Sequence, residues 1–415
     1  MLTPTASRWT LAWAAAACLT SPATAQTSPP LSLSDALHAA MKISPQLQSA
    51  QLELQASDGA RQQAAAHLNP EIQLLREDTR QSSSTTTYQL SQTIEIAGKR
   101  ASRMAVAASA YRQAQATQAD RIAQLQWGVT QAYLDLAAAR ERRRLEVEAL
   151  TAAEQLSEAA RKRVKAGKAS PLEESKALIA QAHAQQAARQ AAVDERIARR
   201  HFEKLTGMTV SDTLELAWPT PQATDQGRCE ENSPEITSSA TIQAAITERD
   251  RLASQADLER ARQIPDPTVV IGIKRAQELS RDQLVLGINL PLPVWDRNQG
   301  NLLQALRLAD KAATDLLTAR QQLSQQCSEL SFRHAAAAEE LQTLTDLVIP
   351  QAIDAWHRSI TAFENGKATF MEMQDAQRAL LTAQDKRLTT RVSLHRYAAE
   401  LTRVMSPIDT DDRQP

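Results

Sequence analysis

Two short segments bring Gly, Lys, hydroxyl and carboxylate side chains close together: Arg163-Val-Lys-Ala-Gly-Lys-Ala-Ser-Pro-Leu-Glu173 and Ala362-Phe-Glu-Asn-Gly-Lys-Ala-Thr-Phe-Met-Glu372. Gly-Lys followed by a hydroxyl residue invites comparison with a phosphate-binding loop. That loop needs Ser or Thr directly after the lysine and an earlier Gly; here Ala169 and Ala368 follow Lys168 and Lys367, and the upstream Gly is missing. Nucleotide chemistry is therefore excluded. The second segment continues to Asp375, three residues past Glu372, which places two carboxylates on one side of a helix, where they could attract cations. In the first segment the matching positions are Glu173 and Lys176, so the acidic pair is not duplicated. The seven histidines (His38, His67, His183, His201, His334, His357 and His395) are scattered singly, without the spacing of a metal site. No nucleophile elbow or HExxH stands out either, so neither catalysis nor a cofactor is expected.

What these segments do well is turn a chain. Gly167 and Gly366 suit the left-handed position just past a helix end. Ser170-Pro171-Leu172-Glu173 and Thr369-Phe370-Met371-Glu372 each read as a capping box opening the next helix, the first with Pro at its first position. Gly167 matches Gly366, Lys168 matches Lys367 and Glu173 matches Glu372, all at an offset of 199. The repetition extends outward. Ser44-Pro45 echoes Ser233-Pro234, Asn69-Pro70 echoes Asp266-Pro267, and Leu90–Ile96 echoes Leu286–Leu292. One unit has been used twice, and the reading divides the chain at 26–220 and 221–415.

Each unit runs helix, Pro break, two short alternating segments, very long helix, Gly turn, final helix. In the first, 34–66 reads as a helix with Ser34 or Asp35 near its cap and Pro45 as an early interruption; 71–79 and 87–96 read as strands, separated by the polar turn 80–86; and 98–166 reads as one helix of about 100 Å. In the second, strands are expected over 268–277 and 283–291 and a comparable helix over 298–364, kinked or opened at Pro350. The residues between the halves, 208–233, read as a linker rich in Pro, Thr and Asp, placed as a belt or loop. With 10 Gly and 3% aromatics in 415 residues, narrow helical seams are a better fit than one large core. The formal charge of −1 gives no reason to expect nucleic acid.

The N-terminus has the form of an export signal: Arg8, an apolar stretch from Leu11 to Leu19, and Ala23-Thr24-Ala25 before cleavage near Gln26. Lipidation at Cys18 is the alternative, disfavoured because Ala15-Ala16-Ala17 lacks a large aliphatic residue. The two cysteines beyond the signal, Cys229 and Cys327, are read as free thiols. The alternating segments place Tyr88, Leu90, Ile94 and Ile96 on one face, and Leu284, Leu286, Ile288 and Leu290 on one face. Strands of about nine residues match a bilayer, but four cannot close a barrel alone. The pattern leaves open a soluble sheet packed on helices and a barrel closed by several copies.

Two segments, Leu90-Ser-Gln-Thr-Ile-Glu-Ile-Ala-Gly-Lys-Arg100 and Leu290-Pro-Leu-Pro-Val-Trp-Asp-Arg-Asn-Gln-Gly300, together with the Gly turns and the Leu31-Ser-Leu-Ser-Asp-Ala-Leu37 opening, resemble outer-membrane efflux proteins of the TolC type, and within them the CzcC-like components of heavy-metal tripartite pumps. The resemblance spans nearly the whole mature chain. It implies a mainly α protein with a small membrane β-barrel: four strands per subunit, twelve in a homotrimer, above a periplasmic tunnel of antiparallel coiled coils. It further implies an outer-membrane duct that works with a periplasmic adaptor and an inner-membrane RND transporter. The tip would dock the adaptor through Val164–Ala169 and Phe363–Ala368, notably Val164, Gly167, Lys168, Gly366 and Lys367. Glu372 and Asp375 would become rings of carboxylates at a closed entrance. A duct for organic drugs or secreted protein, and a soluble periplasmic scaffold, are the alternatives.

Overall fold

The computed structural model describes residues 31–78, 83–211, 216–219, 229–277 and 281–405; the segment read as an export signal, with Cys18, lies outside them. Helices α1 (Leu33–Ile43) and α2 (Pro45–Ala65) precede strands β1 (Glu71–Glu77) and β2 (Thr85–Thr93), and then α3 (Lys99–Lys165) and α4 (Pro171–Thr206) form a hairpin. The second half follows the same order: α5 (Pro234–Ser238), α6 (Ala240–Ala261), β3 (Thr268–Ala276), β4 (Arg281–Asn289), α7 (Gln299–Thr343), α8 (Ile349–Glu364) and α9 (Phe370–Met405). The interruption read at Pro45 within 34–66 divides that segment into two helices, parted at Ser44. The N-cap of α1 is Ser32, whose side chain accepts from the Asp35 amide, rather than Ser34 or Asp35. The polar turn read over 80–86 is shorter than that at its far end, because Thr85 and Thr86, being β-branched, already pair in β2.

The second long helix is interrupted by a single π-helical turn, Leu344–Val348, before α8. Pro350 is the cause. It has no N–H, and its ring crowds the carbonyl one turn back, so the chain widens there instead of breaking. The long helices pack through small residues: Ala137, Ala149, Ala153 and Ala160 of α3, and Ala177, Ala188 and Ala191 of α4, are all buried. This is how a chain with few aromatics covers its seams.

The four strands form one antiparallel sheet in the order β1-β2-β3-β4. The two halves join through the β2–β3 pair, in which Tyr88 faces Ile273 and Leu90 faces Ile271. Both strand-to-helix corners use a left-handed residue, Gly98 before α3 and Asn298 before α7. Both are pinned to the end of α6 and the link that follows it: the Ile96 amide and Lys99 reach Asp266 at 2.9 and 2.8 Å, and Asn298 Nδ2 donates to the Glu259 backbone oxygen and carboxylate at 2.9 and 2.8 Å. The two segments that carried the family resemblance are therefore the joints between sheet and tunnel.

Two apolar clusters form a girdle at mid-height, one per half. The first gathers Leu31, Val129, Tyr133, Leu136, Phe202 and Val210. The Tyr133 hydroxyl lies 2.7 Å from the Leu31 oxygen and 2.6 Å from the Ala217 oxygen, sharing its proton between them, and burial pushes its pKa up to about 12. The second cluster gathers Ile236, Ile242, Leu323, Leu330 and Leu401 around Cys229 and Cys327. These cysteines are not free thiols: they form a disulfide, with Cα atoms 5.4 Å apart. Sequence spacing could not show that the end of the linker folds into the same apolar cluster as α7, which is what brings the sulfurs together.

Candidate functional site

At the end of the helices remote from the sheet, both Gly turns have the same geometry. Gly167 (φ 71°) and Gly366 (φ 70°) are left-handed. Around the first, the Gly167 and Lys168 amides donate to Val164 O and Arg163 O, both at 2.9 Å. Around the second, the Gly366 and Lys367 amides donate to Phe363 O at 3.0 Å and Ala362 O at 2.8 Å. Each is a Schellman closure that satisfies the last carbonyls of the incoming helix.

The helices that leave the turns differ. Thr369 and Glu372 make a full capping box: the Thr369 amide and hydroxyl donate to Glu372 Oε2 at 2.7 and 2.9 Å, and the Glu372 amide donates to Thr369 Oγ1 at 3.3 Å. The Thr369 amide, then its hydroxyl, holds the Glu372 carboxyl below its usual range. The box expected at Ser170 and Glu173 does not form. Ser170 Oγ accepts from the Leu172 amide at 3.3 Å, and Glu173 turns inward, half-buried, with Oε2 lacking a hydrogen-bond partner. Ser170 still caps α4 with Pro171 in its first turn, while Glu173 does not.

The two tips pack against each other. Phe363, Phe370 and Met373 of the second half join Ala160 and Ala177 of the first in a buried cluster. The Phe363 and Phe370 rings meet edge to face at 6.3 Å. Arg163 lies 4.2 Å over the Phe363 ring and donates to the Phe363 carbonyl at 2.7 Å, tying one turn to the other. Phe363 is only 2% exposed, so it supports the surface rather than belonging to it, contrary to the stretch read as 363–368. Gly167, Lys168, Gly366 and Lys367 are exposed and Val164 is half-buried. Arg163 and the Phe pair were missed in the sequence, although two of its four Phe residues flank one turn, which was the available signal.

Asp375 stands one turn below Glu372 on α9, well exposed, with Arg378 at 4.0 Å. Glu372 spends its carboxylate on the cap, whereas Asp375 takes no part in the cap and has only this long, exposed pairing with Arg378. Among the described residues no group of three or more His, Cys, Asp or Glu side chains could hold a metal ion.

At the other end, the sheet has one face of exposed apolar side chains. Ile72, Leu90, Ile271 and Leu286 form one row, and Leu74, Tyr88, Ile273 and Leu284 the next. The opposite face carries Thr87, Gln89, Ser91, Lys274 and Gln283. β1 and β4 each leave one edge unpaired within the chain. A face this apolar beside open edges is the expected form of a section of barrel wall.

Comparison with known proteins agrees. The chain is 34% identical to the cobalt-zinc-cadmium resistance protein CzcC of Cupriavidus metallidurans over 376 residues, 91% of this chain and 90% of that protein. It is 29% identical to the nickel-cobalt-cadmium resistance protein NccC of Alcaligenes xylosoxydans xylosoxydans over 304 residues, 71% and 67% of the two chains. The fold matches the outer membrane protein VceC of Vibrio cholerae with a TM-score of 0.75 at 19% identity, covering 90% of this chain and 96% of that one. It also matches the MtrE outer membrane channel of Neisseria gonorrhoeae, with a TM-score of 0.74 at 15% identity, covering 92% and 91%. The outer membrane efflux protein family matches twice, at residues 36–208 and 235–406, once in each half of the duplicated architecture, and this chain is a member of that outer-membrane family.

Proposed function

We propose that this protein is the passive outer-membrane exit duct of a tripartite pump that expels divalent heavy-metal cations. The observation that carries this reading is the 34% identity, over nine-tenths of the chain, to a cobalt-zinc-cadmium resistance protein. The sheet supports a homotrimer. Unpaired backbone groups at the edges of β1 and β4 are not tolerated in lipid. Pairing the β4 of one copy with the β1 of the next removes every edge and closes twelve strands.

The packed tip supports adaptor docking. Two Schellman turns, held in register by Arg163 and Phe363, present Lys168 and Lys367 at the free end of the tunnel. Threefold symmetry would convert Asp375 into a ring of carboxylates at the entrance, attractive to cations. The duct does no chemistry of its own: energy comes from an inner-membrane RND transporter and reaches the duct through the adaptor.

Deleting the gene is expected to sensitise the host to zinc, cobalt, cadmium or nickel, with resistance restored by a plasmid copy. A deletion strain with unchanged tolerance to all four ions would overturn the metal assignment. Asp375→Asn in planar bilayers is expected to lose cation selectivity or divalent block, and conductance identical to wild type would reject the ring.

A further inference from the structure

The outward face of the sheet does not end in apolar residues. One rung beyond Leu74, Tyr88, Ile273 and Leu284, and on the same face, the register aligns Arg76, Thr86, Arg275 and Asp282. This is the last outward rung before the two hairpin connections. Because the other strand ends run into the tunnel, it lies toward the outer leaflet. Arg76 and Arg275 stand on β1 and β3 with one strand between them, roughly 10 Å apart. Arg275 is fixed by a two-point ion pair: Nε and Nη2 donate to Asp282 Oδ1 and Oδ2 at 2.7 and 2.9 Å, a fork that does not use the Nη1 donors. Arg76 is exposed and makes no ion pair among the described residues.

Tyr88 gives a second, independent marker of depth. Its ring is exposed in the outermost apolar row, one rung below Arg275. A tyrosine with its ring among acyl chains and its hydroxyl among polar groups marks the headgroup level. The hydrocarbon boundary therefore falls between Tyr88 and the arginine rung. On the opposite face near this height, Lys274 is compensated by Glu77 at 3.8 Å. The outward rung has two guanidiniums against one carboxylate, an excess of one positive charge per subunit. The planar fork of Arg suits phosphate, the anionic group available at that depth.

We propose that Arg76, Arg275 and Tyr88 form a binding row for the phosphate groups of anionic lipid in the outer leaflet, a reading that rests on the sheet being a wall of the membrane barrel. The test uses the full-length protein purified in detergent and titrated with lipid A and with dephosphorylated lipid A, binding being followed by native mass spectrometry and thermal stability. Wild type is expected to retain and be stabilised by lipid A and to ignore the dephosphorylated form. Arg76→Gln/Arg275→Gln is expected to bind lipid A about thirtyfold more weakly, while Arg297→Gln, at the tunnel side of the sheet, binds as wild type. Equal response of wild type to both lipids, or unchanged binding by the double variant, overturns the proposal. If the double variant does not assemble, wild-type discrimination between the two lipids decides alone. A protein absent from the outer-membrane fraction would refute the barrel reading itself, whereas an outer-membrane protein indifferent to phosphate would refute only the lipid row.

Discussion

Phe363→Ala tests whether the tip works by its shape or only by its exposed side chains. Phe363 is 2% exposed and cannot touch a partner, yet it packs on Phe370, Met373, Ala160 and Ala177. Truncating a buried Phe costs about 3–5 kcal/mol, and losing the Arg163 contact over its ring adds about 0.5–1 kcal/mol. The hydrogen bond from the Arg163 guanidinium to residue 363 can persist, since its acceptor is the backbone carbonyl. A loss of this size at a free helical end is enough to open the last turns in the folded molecule, while both mid-height clusters are far away and intact. Gly366→Ala makes the contrast. A Cβ there meets nothing within 4 Å, so only the left-handed backbone is strained, at about 1–2 kcal/mol. Hydrogen exchange over residues 356–380 is expected to accelerate strongly in Phe363→Ala and mildly in Gly366→Ala. On the proposed docking reading, crosslinking from Lys367 to the adaptor should fall in the same order, with the proposed trimers preserved. Exchange at the tip equal to wild type in Phe363→Ala, or a larger effect from Gly366→Ala, would refute the reasoning.

Three further outcomes follow from the same packing. The Cys229–Cys327 disulfide joins residues 98 apart, so replacing both with Ser is expected to lower stability by about 2–4 kcal/mol, with the chain-entropy limit near 4.7; urea unfolding measures it, and two titratable thiols in unreduced, denatured wild type would contradict the pairing. Burial, then the nearby Arg391 and His334 charges, depresses His395 to about 4, so it folds neutral. The unfolded chain then binds the extra proton, and stability present above pH about 6.5 drains away as pH falls toward 4; melting temperatures across that window should fall less steeply in His395→Asn. A Cβ at Gly272 would sit 2.5 Å from the Tyr88 carbonyl oxygen, so Gly272→Ala is expected to cost about 1–3 kcal/mol and reduce heat-modifiable trimers in the outer-membrane fraction.

How far the sequence reached depended on the range of the interaction concerned. The long helices, the Gly turns and the alternating strands are written in local periodicity, and so is the position of the break near Pro350. The duplication was legible because the turn chemistry is strict: only a residue tolerant of positive φ ends both hairpins. What stayed hidden is set by tertiary contact. The disulfide depends on the linker folding back onto α7. The failure of the Ser170 box depends on which way one Glu side chain turns. The burial of Phe363 depends on the other hairpin coming alongside. The arginine rung was equally invisible, since Arg76 and Arg275 become neighbours only through two strand registers.

The departure from repetition at the tip then has a physical reading. Equivalent turns with equivalent caps would make two equivalent hairpins, and a tunnel built from them would have no preferred place to narrow. Here the second turn has the full capping box, the aromatic pair and Asp375, while the first supplies small residues and Arg163 to hold it. The second turn supplies the packing of the tip and the first clamps it, because the apolar core of the tip comes largely from 363, 370 and 373 and not from their counterparts Val164, Pro171 and Glu174. A carboxylate meant to act on passing cations must be held at a fixed height and left unpaired by its cap. Glu372, one turn earlier, commits its carboxylate to Thr369 to fix the start of α9, and so sets the height of Asp375. Thr369→Ala is therefore expected to impair any ring at Asp375 without touching it, and to return the Glu372 carboxyl toward its ordinary range. Bilayer conductance of Thr369→Ala that matches wild type, while Asp375→Asn does not, would show that the ring needs no such support.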